Sequence, residues 1–444
     1  MFGAGILNAL DGRNPMSLEA GIGGLLQTAS YLSGLSGGSW FVGSLAQANF
    51  PTIPELVFGP SNVDVEGFGG WMTDKDILEL SSDVNVTQAY VSGLVEEVMG
   101  KHAAGFPVTT ADVLGRTFSR HFVNGTNALN FLNNKLTHGA GITFSSIVNI
   151  SSFANHMQPF PILMTDTSST CANDSVMLNA SDAFVPLSNP IFELNVFEMG
   201  SFDPMLAAFI PMKYLGSSNN TICVSNFDQM SFIEATSSNL FNIYDLLMQA
   251  PPYSIEVIFD LLAQLLPEPS VPIAQTLIPN PFSGSAYFAN SNKTYLSLVD
   301  GSEDGEMMPI QPLLVKSREV DTIFAIDGSG QTDDNFADGS SLIATQDRVS
   351  LFPSHYSFPP VPSSPSTLAS SNLTKHPTFF GCNSNTSAPL VIYFANGGPP
   401  LGQPAITNIS VHSTSIPIHR LRRCSPKYLI LQRREYPSRR RWLC

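Results

Sequence analysis

Gly34-Leu35-Ser36-Gly37-Gly38-Ser39-Trp40 has the form G-x-S-x-G. A serine whose hydroxyl must reach a substrate carbonyl needs a sharp strand-to-helix turn, and flanking glycines let that turn form without clashing Cβ atoms. The neighbouring sequence agrees with such a turn. Leu25 to Leu32 can lead into a buried strand, and residues 40–49 (WFVGSLAQAN) read as a short helix. The N–H of Gly37 would then lie at a helix N-terminus, where a developing oxyanion is stabilised. In a chain with 33 Gly, the same stretch also fits an ordinary Gly-rich turn, so by itself it leaves both readings open.

Working outward, the 444 residues are enough for one large body with a substantial core. Charged residues make up 13% and apolar ones 43%, with 33 Pro, which describes a folded, loop-rich protein rather than a disordered one. The net charge of −15 is unevenly spread. Arg420 to Cys444 carries nine Lys or Arg against Glu435 alone, so the preceding residues are strongly acidic and argue against nucleic acid as a partner. The basic end suits an acidic membrane surface, and an altered reading frame accounts for it equally well. Residues 1–410 are therefore expected to form a single domain, with 411–444 outside the fold.

Ten N-x-S/T sequons, at Asn85, Asn124, Asn149, Asn173, Asn179, Asn219, Asn292, Asn372, Asn385 and Asn408, favour the secretory route. Cys171, Cys223 and Cys382 can supply one disulfide, with Cys424 and Cys444 in the tail. Met1 to Leu7 shows no charged n-region, apolar h-region or cleavage site. No run of about 18 or more apolar residues predicts a transmembrane helix.

Residues 51–160 read as mainly helical, with apolar groups at helical spacing in Tyr90 to Met99 and Ala111 to Phe118. From Pro159 the pattern changes to short β-rich runs such as Pro161 to Thr165 and Ile191 to Phe197. Residues 255–266 (IEVIFDLLAQLL) predict an amphipathic helix, either packed on the core or serving as a lipid-facing lid. Residues 353–388 read as irregular surface.

A serine nucleophile needs a base, and Asp300 in Tyr295-Leu296-Ser297-Leu298-Val299-Asp300-Gly301-Ser302 is the candidate. A carboxylate at the end of a strand and followed by glycine sits where ligand clefts of open α/β sheets are found, although Asp-Gly also reads as a plain turn. A calcium-loop reading uses Asp300, Ser302, Asp304 and Gly305, but Gln311 replaces the bidentate glutamate and Pro309 interrupts the loop. Asp327 to Gly339 fits such a loop less well and reads as a turn. The eight histidines form no H-E-x-x-H zinc signature and no Walker glycine loop occurs. A Ser-His-Asp arrangement through His355 or His376 stays open.

GLSGGSW at 34–40, FELNVFEMGSFDP at 192–204, FIPMKYLGS at 209–217, TSSNLFN at 236–242 and VDGSEDGEMMPIQPLL at 299–314 occur in the order found in the fungal phospholipase B or lysophospholipase family, which the chain resembles over roughly residues 3 to 400. That family is related to the cytosolic calcium-dependent phospholipases and, more distantly, to patatins. The resemblance implies an α/β fold with a mixed central sheet flanked by helices, cytosolic-phospholipase-like or patatin-like. It also implies a dyad in which Ser36 attacks an acyl ester of a phospholipid or lysophospholipid at a membrane or micelle surface. Asp300 takes the proton, and no histidine, metal or cofactor is needed. An unperturbed aspartate, with a pKa of about 3.9, would remain ionised well into the acidic range. Secreted or cell-surface location and N-glycosylation are implied as well. The family carries a Gly-Gly-Gly-Tyr-Arg oxyanion segment upstream of the sequence matching Phe2 to Asp11, and this chain begins after it. Gly37 is then the oxyanion donor that can be placed, and a catalytically impaired lipid-binding relative or fragment is the alternative expectation. The family's Cys-rich ending is replaced by the basic tail.

Overall fold

Phe160–Thr167 (FPILMTDT) carries no charge before Asp166 and is buried from Pro161 onward. A strand covered on both faces reads as such a continuous run rather than an alternation, and this one is the central strand of a large sheet. The computed structural model of the protein describes residues 2–60, 68–168, 174–178, 183–218, 223–239, 241, 244, 250–265, 272–382, 388–399, 404–410, 413 and 415–416. Among these, seven strands form the sheet: β1 (Tyr31–Leu35), β2 (Phe160–Thr167), β3 (Ile191–Asn195), β4 (Glu198–Ser201), β5 (Ala208–Pro211), β6 (Thr276–Pro279) and β7 (Tyr295–Val299). Their order is β5-β4-β3-β2-β7-β6, with β1 also paired to β2. The β1–β2 pair is parallel and the other pairs in this sheet are antiparallel, so the expected mixed sheet is present and mainly antiparallel.

The pairing along β2 positions everything that follows. One edge of β2 is occupied by β3 from Ile162 to Asp166. On the other edge, β1 runs parallel to β2 and ends with Leu35 opposite Met164, while β7 runs antiparallel and ends with Val299 opposite Asp166. The two C-terminal ends therefore point at each other with Thr165 alone between them. Neither chain can continue in the sheet, and each turns out of it at the next residue, Ser36 and Asp300. Two glycines allow this. A Cβ on Gly34 would lie 2.5 Å from Gly38 O, and a Cβ on Gly301 would lie 2.5 Å from Met164 O.

The helix that follows Ser36, Gly37–Gln47, contains no charged residue and is buried from Phe41 to Gln47. Its Val42 and Ala46 join the core beneath the sheet with Leu163, Phe192, Leu194 and Leu298. Its Phe41 and Leu45 pack with Ile6, Leu10 and Leu56 from helices Phe2–Leu10 and Ile53–Phe58. The predicted helical segments lie within helices Val84–Ala103 and Thr110–His121. The amphipathic segment forms helix Tyr253–Ala263, with Ile255, Ile258 and Leu262 buried against those two helices. Its apolar face thus covers core, as the simpler of the two readings expects, and Leu266 lies outside the described residues. None of the described helices is long and apolar enough to cross a membrane.

Residues 353–388 depart from the expected irregular surface. They contain helix Pro365–Ser370 and strand β9 (Thr378–Phe380), which joins β8 (Thr322–Asp327) and β10 (Leu390–Ala395) in a second sheet ordered β8-β10-β9. The Pro- and Ser-rich composition hid a three-residue strand that is held by its pairing with β10 rather than by its own propensity. Of the cysteines, Cys223 is exposed and free, and Cys382 is disulfide-bonded. Cys171 lies outside the described residues.

Buried carboxyls are unusually dense behind the Asp300 turn. Arg348 is fully buried and pairs with Asp203 at 2.6 Å, with Glu306 at 3.5 Å and Asp304 at 3.9 Å. Asp304 N–H donates to Asp166 Oδ2 at 2.9 Å. Burial pushes Asp166, Asp304 and Glu306 up, and for Asp166 and Glu306 the Asp304 carboxylate adds to the effect while Arg348 opposes it. Glu234, in helix Met230–Thr236, is raised by burial alone, and neither carboxyl oxygen has a hydrogen-bond partner among the described residues. Such groups keep protons in the fold that the unfolded chain releases. Their contribution to stability is full below their ordinary values and is lost as pH rises through the folded ones. Asp11, Glu55 and Glu97 shift the other way, so their contribution is lost only as pH falls.

Two outcomes are expected. The thermal midpoint should fall as pH rises above the ordinary carboxylate range, and Glu234→Gln should flatten part of that fall; a midpoint that rises there would contradict the assignment. Gly301→Ala should destabilise by about 1–3 kcal/mol because the new methyl meets backbone. Gly93→Ala, in a helix interior with only Asn134 Nδ2 at 3.8 Å, should stabilise by about 0.5–1 kcal/mol, and equal melting of the two variants would remove the close-approach argument.

Candidate active site

Ser36 occupies a turn with φ 49° and ψ −128° between β1 and helix Gly37–Gln47. A non-glycine residue in this region costs on the order of 1–3 kcal/mol and persists where its surroundings over-determine it. Both of its peptide groups are held. Its N–H donates to Ser237 O at 3.1 Å, with Ser237 Oγ also at 3.1 Å. Its carbonyl accepts from the Ser39 hydroxyl at 2.6 Å, and Ser238 Oγ lies 2.9 Å from the same oxygen. Ser238 Oγ in turn accepts from Trp40 Nε1 at 2.6 Å, and the Trp40 ring packs on Phe118 and Phe122.

Residues 236–239 act as a bracket across the meeting point of β1 and β7. Ser237 O accepts N–H bonds from both Ser36 and Gly301, each at 3.1 Å, and Asn239 O accepts from Asp300 N–H at 3.2 Å. The Ser237 hydroxyl donates to Met164 O on β2 at 2.6 Å. Thr165, the β2 residue between the two strand ends, donates its hydroxyl to Val299 O at 2.6 Å, with Thr236 O at 3.2 Å. Four segments distant in sequence are thus fastened within one hydrogen-bonded unit.

That unit brings the two predicted residues together. Ser36 Oγ donates to Asp300 Oδ2 at 2.8 Å across 264 positions of sequence. Asp300 is fully buried, and its other oxygen, Oδ1, accepts from Ser302 N–H at 3.0 Å and the Ser302 hydroxyl at 2.6 Å. Burial raises the Asp300 pKa to about 6, against the lowering effect of the bonds from Ser302 and Ser36. This corrects the expectation of a carboxylate ionised far into the acidic range. A group with no solvent contact loses hydration that favours its charged form, and burial is not visible in the local sequence.

Gly37 opens the helix and is exposed, so its N–H is among those an α-helix leaves without an intrahelical carbonyl. It lies next to Ser36 at a helix N-terminus, where anionic charge is favoured. Neither histidine of the alternative triad is bonded to the pair. His355 is exposed with Nδ1 2.9 Å from Ser354 Oγ, and His376 Nδ1 contacts Pro377 O and Thr378 Oγ1. Of the calcium-loop positions, Asp300 accepts from Ser36 and Ser302, and Asp304 Oδ1 accepts from Glu306 N–H at 2.8 Å.

Chemically, the arrangement can move a proton from a strained, half-exposed serine hydroxyl to a buried carboxylate. Thr165, Ser237, Ser238 and Asn239 were not singled out from sequence, and Ser302 entered there only as a calcium-loop position. Residues 236–242 contributed to the family resemblance, but nothing in small polar side chains discloses which distant carbonyl they will meet.

Comparison with known proteins bears on the family and the fold. Residues 1–415 match the family described as lysophospholipase catalytic domain. Lysophospholipase 3 of Candida albicans is 36% identical over 411 residues, covering 89% of this chain and 51% of the relative. Lysophospholipase 1 of Saccharomyces cerevisiae is 37% identical over 425 residues, covering 89% and 59%. The chain thus spans little more than half the length of these relatives. Among solved structures, human GIVD cytosolic phospholipase A2 superposes with a TM-score of 0.62 at 14% identity, over 97% of this chain and 59% of that one. Its complex with methyl gamma-linolenyl fluorophosphonate superposes with a TM-score of 0.57 at 16% identity, over 98% and 56%. At these identities the structural likeness speaks for a shared fold, and with the matched sequence it shows that the chain belongs to the lysophospholipase catalytic-domain family.

Proposed function

We propose that the chain is a lysophospholipase, or phospholipase B, that hydrolyses acyl esters of phospholipids or lysophospholipids through Ser36 and Asp300. The observation that carries this reading is the 2.8 Å bond between Ser36 Oγ and Asp300 Oδ2. Ionised Asp300 takes the serine proton as Oγ attacks the ester carbonyl, and the Gly37 N–H stabilises the resulting oxyanion. Collapse of the tetrahedral species expels the glycerol-side alcohol, which takes the proton back from Asp300, and leaves the fatty acyl group on Ser36. Asp300 then deprotonates a water that attacks the acyl-enzyme. The second collapse releases the fatty acid and returns the proton to Ser36. No histidine takes part.

Secretion and N-glycosylation belong to the same proposal. Asn85, Asn149, Asn292 and Asn372 are exposed, and Asn124 and Asn408 are half-buried. Asn173, Asn179, Asn219 and Asn385 lie outside the described residues. Expression through a eukaryotic secretory pathway should give a product whose apparent mass drops on enzymatic deglycosylation, and an unchanged mass would count against this part.

The direct test is release of fatty acid from lysophosphatidylcholine. Ser36→Ala and Asp300→Asn should each lower kcat/KM by about 10³-fold or more. Activity should also be lost as pH falls through about 6, because the base must be ionised to act. Loss on replacing His355 and His376 together, with Asp300→Asn still active, would select a Ser-His-Asp esterase. Lipid binding without turnover would select the impaired relative.

A further inference from the structure

We infer that Ser302 is a positioning residue for Asp300: its hydroxyl holds the carboxyl oxygen turned away from Ser36 and so fixes which oxygen meets the nucleophile. This rests on the reading of Asp300 as the base. Among the described residues the carboxyl of Asp300 has three partners, Ser36 Oγ on Oδ2, and Ser302 N–H and Oγ on Oδ1. Asp300 is fully buried, so removing the Ser302 hydroxyl takes from Oδ1 a donor that bulk water does not already supply. The Ser302 hydroxyl, at 2.6 Å, is the shorter of the two contacts on Oδ1. A donor aimed at a carboxylate favours the charged form over the neutral acid, so the same contact that orients Asp300 also keeps it able to accept a proton.

The fold supplies an internal comparison. Asp327 closes β8 and is followed by Gly328-Ser329, one residue earlier relative to the strand end than Asp300-Gly301-Ser302 after β7, and Ser329 likewise bonds Asp327 Oδ1 through its N–H, at 3.1 Å, and its hydroxyl. The other Asp327 oxygen accepts from Tyr393 OH at 2.7 Å. The cradle is therefore a local product of Asp-Gly-Ser at a strand end. The partner of the remaining oxygen, a serine on a strained turn in one case and a buried tyrosine in the other, decides whether it serves chemistry.

The ionisable groups on the elements packed around Asp300 are Asp166 on β2, Glu303, Asp304 and Glu306 on its own turn, Glu234 in helix Met230–Thr236 and, behind them, Arg348. None bonds to the Asp300 carboxyl. Helix Gly37–Gln47 and residues 236–239 bring no ionisable side chain to it. Ser302 and Ser36 are thus the side chains whose bonds oppose the effect of burial.

The experiment measures kcat/KM for lysophosphatidylcholine against pH for wild type, Ser302→Ala, Ser302→Thr and Ser329→Ala, with Ser36→Ala and Asp300→Asn alongside and thermal midpoints for all. Ser302→Ala should shift the acidic limb upward, so that the loss of activity near pH 5 exceeds the loss on the plateau by roughly three- to tenfold. Ser302→Thr should restore the wild-type limb, and Ser329→Ala should leave it in place. A limb unmoved in Ser302→Ala would overturn the inference. So would a uniform loss at every pH that threonine does not restore, or an equal shift in Ser329→Ala. If Ser36→Ala or Asp300→Asn stays active, the dyad reading itself fails; if both are inactive and Ser302→Ala is unshifted, Ser302 alone is wrongly assigned.

Discussion

Two strands running toward each other along one edge of β2 are the constraint on which the site depends. Sheet pairing normally lets a strand continue beside its neighbour, but here β1 and β7 compete for the same hydrogen-bonding edge, and Thr165 marks where neither can extend. Each chain must leave the sheet in one residue. The side chains at those two positions are delivered to the same place by backbone register alone. This is why Ser36 and Asp300 meet at hydrogen-bond distance although neither segment carries a signal for the other.

Turning out of a sheet strands backbone polar groups that water cannot reach easily, and the bracket of residues 236–239 answers that need. Ser237 O takes one N–H from each departing chain, and Asn239 O takes a third. Left unpaired in the interior, each such group would cost about 1–3 kcal/mol. The bracket therefore stabilises the fold and the strained Ser36 conformation by the same bonds. Rigid geometry at the nucleophile is a by-product of satisfying the backbone.

Much of this was legible in sequence, and the illegible part has a common cause. The apolar run of β2, the 3.6-residue spacing of helix Tyr253–Ala263 and the strand before Asp300 all announce themselves locally. So do Ser36 and Asp300, since glycine beside a reactive side chain at a strand end is itself a local pattern. What sequence did not disclose depends on tertiary placement. Strand β9 is held by β10, the bracket residues are defined by the N–H groups of Ser36, Asp300 and Gly301 and by Met164 O on β2, and the raised pKa of Asp300 comes from burial. A serine or threonine can bond almost any backbone group, so its type says little until its neighbours are known.

The electrostatics follow the same logic at larger scale. A buried carboxylate is tolerated where it is paired or protonated, and this interior uses both solutions close together. Asp203 is paired with Arg348, whereas Glu234 has no partner among the described residues and is held neutral. Asp300 lies between these limits. It is raised by burial yet supported by two serines, so its charge state is balanced by a few hydrogen bonds rather than dictated by a fixed cation. A guanidinium as close to Asp300 as Arg348 is to Asp203, 2.6 Å, would favour the charged form of Asp300 and weaken it as a proton acceptor. Serine hydroxyls orient the carboxylate without supplying a full positive charge, which lets it remain basic enough to take a proton from Ser36.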